Sequence, residues 1–379
     1  MEMDALTEVL DDLAGRDPST LADPESLIEL QRSICRLEAI FTSAVGEFDT
    51  WGGYAPEGAQ STAAWLAARC QVPASQAQKH VKRSRHLRQL KECDEAWRDG
   101  DIGAAQVDAI CRKHKGATRC TLERDEVLLV GQARTLRFSD FNRMMEYWSQ
   151  FADPDGTEAD AEARRARRDV YLASSLDGTY LGQMTLDPIS GAIVANELDR
   201  LERELFDQDW KEARARLGFE PTVGDLTRTS GQRRADALVE MATRSKAVPA
   251  GAPRPAPLFS VLVDYQTLHG RICQLARGTV ISPGSLLPWL NEAYIERAVF
   301  DPPNRVEVSA TARFFTGATR RGIQLRDREC THPYCDRPAE DCEADNIQPY
   351  AAGGPTTQAN RLLCGYHNRL RNQRPPPTN

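Results

Sequence analysis

The chain has 379 residues, of which 41% are hydrophobic and 27% charged, a composition typical of globular proteins with a buried core. Its net charge of −7 excludes a uniformly basic coat for nucleic acid, so any such contact must come from local patches. No apolar run approaches the ~20 residues of a membrane-spanning helix, and the N-terminus lacks a signal-peptide pattern. We therefore expect a cytoplasmic protein with no membrane partner, whose ten cysteines are mostly reduced, buried thiols.

Residues 1–150 predict a helical domain. Apolar residues at three- and four-residue steps form the stripe of an amphipathic helix: Leu27, Leu30, Ile34, Leu37 and Ile40. Further on, a short helix capped by Ser61 is followed by a turn at Val72 and Pro73 and by a second helix from Ala74 to Lys91. This outline is typical of a helix-turn-helix.

The second of these helices is strongly basic. It carries Lys79, Lys82, Arg83, Arg85 and Arg88, with no acidic residue among them. A helix of this kind can lie against DNA phosphates, and these five residues are candidate nucleic-acid contacts. The alternative is a solvated helix in an all-α bundle, because a run of charged residues usually indicates only a solvent-exposed helix face.

The middle of the chain mixes helices and strands. In residues 151–246 we expect a turn at Asp153–Gly156, a helix over 158–168, a hairpin around Asp177 and Gly178, and helices over 189–217 and 232–245. Residues 247–257 are rich in proline and predict a linker, and residues 258–318 predict a connector with strands over 258–264 and 305–310. Residues 374–379 are expected to be disordered.

Soft metal ligands cluster in the C-terminal segment 319–373. Cys330 and Cys335 form one pair, and Cys364 and His367, three residues apart on a predicted helix, form another. Together they make a Cys3His set suited to tetrahedral zinc, and the alternative is four buried residues without a metal. We leave Cys342 outside the set because acidic residues flank it. A ring nitrogen of His332 competes with Sγ of Cys335 as a metal ligand.

This constellation resembles the HNH endonuclease module, the zinc-stapled form of the ββα-metal nuclease fold. The whole chain is similar to the actinobacterial 13E12 repeat, or DUF222-type, proteins that carry such a module at the C-terminus. Beyond the zinc pairs, the stretches that carry the resemblance lie at residues 61–67, 106–110, 186–188, 231–238 and 324–330. We therefore expect a mostly α protein with α+β parts, in which a helical domain precedes a small ββα module.

The resemblance also implies residue roles. Asp345 matches a ligand of a catalytic divalent ion, Mg²⁺ or Mn²⁺, and Asn360 matches the asparagine that orients the loop and the base. Asn346 stands where the family carries the general-base histidine. Asn368 stands where the family carries a second histidine ligand of the catalytic ion. An amide oxygen still suits Mg²⁺, but Asn346 cannot accept a proton at physiological pH, which costs roughly 10²–10⁴-fold in rate.

Three functions follow as alternatives. The first is a DNA endonuclease or nickase, with Arg326, Arg328, Arg361 and Arg369 as further phosphate contacts. The second is a catalytically dead DNA-binding or regulatory protein that keeps the scaffold, which Asn346 favours. The third is a protein-interaction scaffold in which zinc only staples the fold. A symmetric double-strand cut would require two modules, hence a homodimer or two binding events.

Overall fold

The computed structural model describes residues 2–249, 258–264, 273–275, 279–282, 285, 294–300, 317–348, 354, 357 and 359–373. The chain divides into two compact units, Met1–Asp153 (unit 1) and Pro154–Asn379 (unit 2). Within the described ranges, no helix combines the length and the apolar character needed to cross a membrane.

Unit 1 is built of helices. They are α1 (Glu2–Ala14), α2 (Pro24–Thr50), α3 (Thr62–Arg69), α4 (Ala74–Leu87), α5 (Lys91–Arg98), α6 (Ala104–Lys113), α7 (Arg119–Thr135) and α8 (Phe138–Ala152). Their shared core contains fully buried large side chains from α5 to α8, among them Trp97, Ile110, Leu122, Leu129 and Phe141. The predicted helical domain is confirmed in its secondary structure, since every long element of unit 1 is a helix.

The helix pair α3 and α4 lies close to its prediction. The Ser61 side chain caps α3 by accepting a hydrogen bond from the Ala64 amide at 3.2 Å. The predicted second helix is too long, because α4 ends at Leu87 and Leu90 has a non-helical backbone that starts α5. Leu90 is nevertheless fully buried, so it still contributes to the core.

Helix α2 corrects the interpretation of the apolar stripe. The helix exists as predicted, but its buried face consists of small or short side chains: Cys35, Ala39, Thr42, Val45 and Gly46. At Gly46, an added Cβ would lie 3.0 Å from Cβ of Ser84 on α4, so the close approach of the two helices favours a glycine there. The larger residues of the predicted stripe remain outside, with Leu27 56% and Ile34 55% exposed.

Unit 2 begins with a helix where a turn was predicted. Helix α9 spans Pro154–Ala166, because proline is favourable in the first helical turn and overrides the turn signal of its neighbours. Next come β1 (Asp169–Ser174) and β2 (Tyr180–Thr185), an antiparallel hairpin with Gly178 at a positive φ, as predicted. Helices α10 (Pro188–Leu217) and α11 (Ser230–Ala247) then pack together through Leu198, Leu201 and Ala237.

Short strands follow. Strand β3 (Leu258–Asp264) lies parallel to β6 (Tyr294–Phe300), and β4 (Cys273–Gln274) pairs antiparallel with β5 (Val280–Ile281). The predicted strand over 258–264 is confirmed, whereas that over 305–310 lies outside the described residues. Of the predicted linker, Ala247 ends α11, and residues 250–257 lie outside the described ranges, as does the tail 374–379.

The C-terminal elements surround the cysteine-rich segment. They are α12 (Gly317–Asp327), β7 (Cys342–Asp345), β8 (Arg361–Cys364) and α13 (Gly365–Gln373). Strands β7 and β8 are antiparallel, with Cys342 opposite Cys364 and Asp345 opposite Arg361. A small core of Ile323, Leu362, Leu363 and the cysteines lies beneath them. The order of two strands and a helix agrees with the prediction for this segment.

Candidate metal centre

Four side chains converge between the loop after α12 and the β8–α13 junction. The thiols of Cys330, Cys335 and Cys364 and the imidazole of His367 present ligand atoms that all lie within 4.8 Å of one another. The sequence placed Cys364 on a helix, but it is the last residue of β8, and only His367 belongs to α13. A strand end and a helix start therefore supply the second ligand pair.

The distances fit a tetrahedral zinc site. Sγ of Cys335 lies 3.9 Å from Sγ of Cys364, and Nδ1 of His367 lies 3.3 Å from Sγ of Cys364 and 3.5 Å from Sγ of Cys330. Zn–S bonds of ~2.3 Å and Zn–N bonds of ~2.0 Å at tetrahedral angles require separations of about 3.8 Å and 3.5 Å. The Cys3His cluster can therefore bind a structural metal such as zinc.

Backbone hydrogen bonds hold the ligands in place. The Cys330 amide donates to the carbonyl of Arg337 at 2.8 Å, and the Cys335 amide donates to the carbonyl of His332 at 3.1 Å, which folds the first pair into a tight loop. The Cys364 amide donates to Sγ of Cys330 at 3.3 Å. Such a bond stabilises sulfur in its thiolate form, which is the form that binds metal.

The protonation preferences of the ligands differ. Burial raises the pKa of Cys335 to about 11. Burial also acts to raise the pKa of Cys364, but hydrogen bonds from the His367 and Tyr366 backbone and the neighbouring thiols lower it overall. Burial, followed by the nearby His332, lowers the pKa of His367 and favours the neutral imidazole that a metal requires.

Two further candidates lie outside the cluster. Cys342 is buried, its Sγ donates a hydrogen bond to the carbonyl of Arg337 at 3.6 Å, and burial raises its pKa to about 12. His332, expected to compete with Cys335, instead stacks on the His367 ring with the centroids 3.7 Å apart. Its Nδ1 accepts a hydrogen bond from the Tyr334 amide at 3.3 Å. It therefore supports the orientation of a ligand.

Asp345 lies at the end of β7 between two arginines. Its Oδ2 accepts hydrogen bonds from Arg371 and, at 3.4 Å, from Nε of Arg361 on the opposite strand. Arg371 also donates to the carbonyls of Asn346 and Ile347, so it fixes the backbone that follows Asp345. The guanidinium of Arg371 thus occupies the side of Asp345 where a cation would bind.

The asparagine positions also have defined surroundings. Asn360 is buried, its Oδ1 accepts from the Ile347 amide at 3.0 Å, and its Nδ2 donates to the Thr357 carbonyl at 3.1 Å. It therefore holds the chain beside Asn346, in agreement with an orienting role. The side-chain oxygen of Asn346 is buried and has no hydrogen-bond partner among the described residues.

Asn368 and Asp345 do not form a ready cation site. Nδ2 of Asn368 donates to Oε2 of Glu343 at 2.7 Å, and Oδ2 of Asp345 is engaged by arginines. A divalent ion that binds through Oδ2 would have to displace the Arg371 guanidinium. Glu343 and Arg371 were not among the predicted site residues, since nothing in their spacing distinguishes them from ordinary surface charges.

The remaining predicted basic contacts of this segment have mixed surroundings. Arg326 pairs with Asp327 at 2.6 Å and donates to the carbonyl of Asn360, so it braces the loop. Arg361 is half-buried beside Asp345, and Arg328 is half-buried at a positive φ of 63°. Arg369 on α13 is exposed.

The basic helix α4 uses several of its cations internally. Arg83 is buried, with Nη1 2.6 Å from Glu38 and Nε 2.6 Å from Asp108, so its assignment as a DNA contact is wrong. Its neighbours on both sides are acids of the same unit, which the sequence of α4 alone does not reveal.

The other cations of α4 lie on the surface. Arg85 pairs with Asp49 at 2.9 Å, and Arg88 donates to the Gly46 carbonyl at 2.7 Å. Lys79 and Lys82 are exposed and retain the placement that phosphate contact requires. The basic surface of this helix is therefore smaller than its sequence indicates.

A cation-lined cavity of about 730 Å³ borders the same helix. Its walls include Lys82, Arg85, Lys115 and Arg119, together with His86 and His114, whose Nδ1 atoms are 3.0 Å apart. Burial, followed by the charge of His114, lowers the pKa of His86. This cavity is not predictable from the sequence, because its residues come from separate helices.

Comparison with known proteins places most of the chain, but not the metal-ligand segment after residue 327, in a family. Residues 25–327 match the family described as Domain of unknown function (DUF222). An uncharacterized protein of Mycobacterium tuberculosis strain H37Rv is 23% identical over 402 residues, covering 97% of this chain and 87% of the relative. An uncharacterized protein of strain CDC 1551 is 23% identical over 301 residues, covering 74% of this chain.

A third relative, from Mycobacterium bovis, is also uncharacterized and is 23% identical over 301 residues, with 74% of this chain and 64% of the relative covered. The chain likewise spans 64% of the length of the first curated relatives that it matches. No solved structure matches this chain.

Proposed function

This chain belongs to the DUF222 family, and from that premise and the site geometry we propose that it is a DNA-binding protein built on an HNH-type nuclease scaffold. Its zinc-stapled C-terminal module contacts the phosphodiester backbone of DNA, but it hydrolyses that backbone weakly or not at all. The observation that carries this proposal is that Asn346 stands at the base position while the carboxylate of the adjacent Asp345 accepts a hydrogen bond from Arg371.

The scaffold part of the proposal rests on the metal ligands and on Asn360. A Cys3His cluster lies beside the two-strand-and-helix element in the order that the resemblance implies. Asn360 holds the loop at Ile347, as expected of the residue that orients the base. Zinc in such a site supplies folding stability, because its ligand set leaves no open position for a substrate.

The DNA-binding part rests on exposed cations. Lys79 and Lys82 on α4 and Arg369 on α13 are exposed, and Lys82 borders the cation-lined cavity of unit 1. Phosphate contacts of this kind give affinity without base specificity and weaken steeply with salt. An endonuclease that is fully active is the second candidate, favoured by the retained Asp345 and Asn360.

The weak-catalysis part follows from chemistry. Hydrolysis of a phosphodiester needs a group that takes a proton from water, and the amide of Asn346 cannot do so near neutral pH. A divalent ion, when bound, would supply charge stabilisation at the scissile phosphate. The side chains present do not favour that ion, since Asn368 is paired with Glu343 and Asp345 with arginines.

The test is cleavage of supercoiled plasmid with Mg²⁺ and with Mn²⁺. We expect little cleavage by the native chain and a gain on the order of 10²–10⁴-fold in Asn346→His plus Asn368→His, because the substitution restores the base. Asn368→His alone is the matched control and should stay silent. Equal cleavage by native and doubly substituted chains would show that another residue activates the water.

The same samples separate the remaining alternatives by DNA affinity. The proposal expects binding that weakens strongly between low and high salt. If the chain binds DNA in this way but the double variant stays silent, the assignment of the catalytic positions is wrong. Absent or salt-independent binding would instead favour the protein-interaction scaffold.

A further inference from the structure

Helix α2 carries large apolar side chains outside its buried face. That face consists of small or short side chains such as Ala39 and Gly46. Arg32 and Arg36 are exposed beside it and donate from Nε to the carbonyls of Asp99 and Arg98 at 3.0 and 3.2 Å. An apolar surface that lies outside the core of unit 1 indicates an interaction site.

The outer apolar residues follow a coiled-coil period. They recur at alternating steps of three and four residues, and we call them the α2 stripe: Leu27, Leu30, Ile34, Leu37, Phe41, Ala44 and Phe48. Phe41 and Phe48 lie at the edge of the stripe's exposed surface, because their rings also contact His80 and Trp65 of the same unit. A repeat of seven residues sustained over about three heptads is typical of a helix that pairs with another helix. At 1.5 Å per residue, the stripe is about 31 Å long.

The exposed area is large enough for a stable pair. Leu27, Ile34 and the adjacent Ile40 are 56%, 55% and 58% exposed, and Phe41 is 39% exposed. Covering the stripe and Ile40 removes on the order of 500 Å² of apolar surface from each of two helices, or about 1,000 Å² in total, which reaches the lower bound of specific interfaces.

The residues that flank the stripe carry few charges of the same sign that the association of two α2 helices would bring together. Ser26, Gln31, Ser33 and Ile40 flank it, and none of them is charged. Two acids also flank it: Glu38, which pairs with Arg83 at 2.6 Å, and the exposed Glu47. A self-complementary apolar surface with few charges at its borders favours a second copy of the same helix over a charged partner.

We propose that the α2 stripe is a two-fold interface, on which α2 of a second copy packs antiparallel. This arrangement places Ile34 beside Ala44 of the partner subunit and Leu37 beside Phe41 of the partner subunit, so the small Ala44 meets a larger side chain and no Phe41 meets its own copy. A parallel pair would instead bring Phe41 against its own copy and leave Ala44 against its own copy, which fills space poorly.

Light scattering after size exclusion tests the proposal. The native chain is expected at twice its 42.2 kDa, and Ile34→Glu at the mass of one chain, with dimerisation weakened roughly 100-fold or more because the substitution buries a charge in both copies. Leu128→Glu is the matched control, since Leu128 is 61% exposed on α7 away from the stripe. Circular dichroism should show that both variants keep the helical content.

Cysteine cross-linking tests the orientation. In the antiparallel pair, Ile40 lies across the two-fold axis from its own copy, so Ile40→Cys should form an interchain disulfide and Leu30→Cys should not. A native chain that stays monomeric, whether α1 or another segment covers the stripe, overturns the proposal, as does a dimer that survives Ile34→Glu. Neither measurement depends on DNA binding or cleavage.

Discussion

Unit 1 and the C-terminal segment 317–373 are stabilised in different ways. Unit 1 buries large side chains such as Trp97, Phe141 and Met145 in one core shared by several helices. Among the described residues of the C-terminal segment, the core contains Ile323, Leu362 and Leu363 as its large aliphatic members, and its other members are chiefly cysteines. Packing is sufficient for the first region, whereas the second needs ligand bonds to hold its loops.

Removing a metal ligand should separate the two regions most clearly. Cys364→Ser is expected to lose bound zinc and unfold residues 317–373, because structural zinc supplies about 10–16 kcal/mol of folding free energy in small sites. Elemental analysis measures the metal, and hydrogen exchange measures protection, which should stay unchanged in unit 1. Cys70→Ser, at an exposed thiol of unit 1, is the control. Native protein purified without zinc would contradict the comparison.

Breaking the buried ion pairs of Arg83 should lower the free energy of unfolding of unit 1. This decrease should be smaller than the decrease that the loss of zinc causes in the C-terminal segment. Arg83→Ala leaves Glu38 and Asp108, each 32% exposed, without their buried partner, which costs about 3 kcal/mol of the free energy of unfolding, the lower end for a broken buried pair. Guanidinium denaturation of unit 1 measures this loss. Lys82→Ala, at the neighbouring exposed position, should change stability by no more than about 0.5 kcal/mol. Equal effects of the two substitutions would show that Arg83 is not a structural residue.

The contrast between Arg83 and Lys82 also shows where sequence reasoning ends. Helices, caps and the hairpin were predictable, because Ser61 and the Asp177–Gly178 pair act on their immediate neighbours. Burial of Arg83 was not, because it depends on acids from α2 and α6. The same limit explains the α2 stripe, whose period predicts a helix without saying which side meets the core.

For the candidate site, the ligand set was predictable from spacing, and the four side chains do converge. The environment of Asp345 was not, because Arg371 reaches it from α13 and Arg361 from the opposite strand. The Arg371 guanidinium reaches Asp345 across 26 residues of sequence, and no local motif encodes such a contact. Residue types thus indicate which chemistry a site can perform, and long-range contacts decide whether its groups are available for it.

A buried histidine provides the mildest test of the packed unit. The His80 ring lies edge-on to Phe41, and its Nδ1 is 2.9 Å from the Thr42 hydroxyl. Burial, followed by the charge of Arg83, lowers the pKa of His80 in the folded state, while Glu38 and Asp108 act in the opposite direction. Below the ordinary histidine pKa of 6.5, the unfolded chain therefore binds the proton before the folded chain does.

The stability that His80 contributes is therefore fully present above pH ~6.5 and is lost as the pH falls towards the lowered pKa of the folded state. One such group changes the free energy of unfolding by at most about 1.4 kcal/mol per pH unit. Denaturation of unit 1 is measured between pH 7.5 and 5.5, about one unit either side of the histidine pKa. The slope of the free energy of unfolding against pH should be smaller for His80→Gln than for the native chain. Because burial also lowers the pKa of His86, some slope should remain in the variant. A slope that is unchanged in His80→Gln would mean that His80 is already protonated, or accessible to water, in the packed core. The comparison between a packed region and a region held by metal ligands would then not apply at this position.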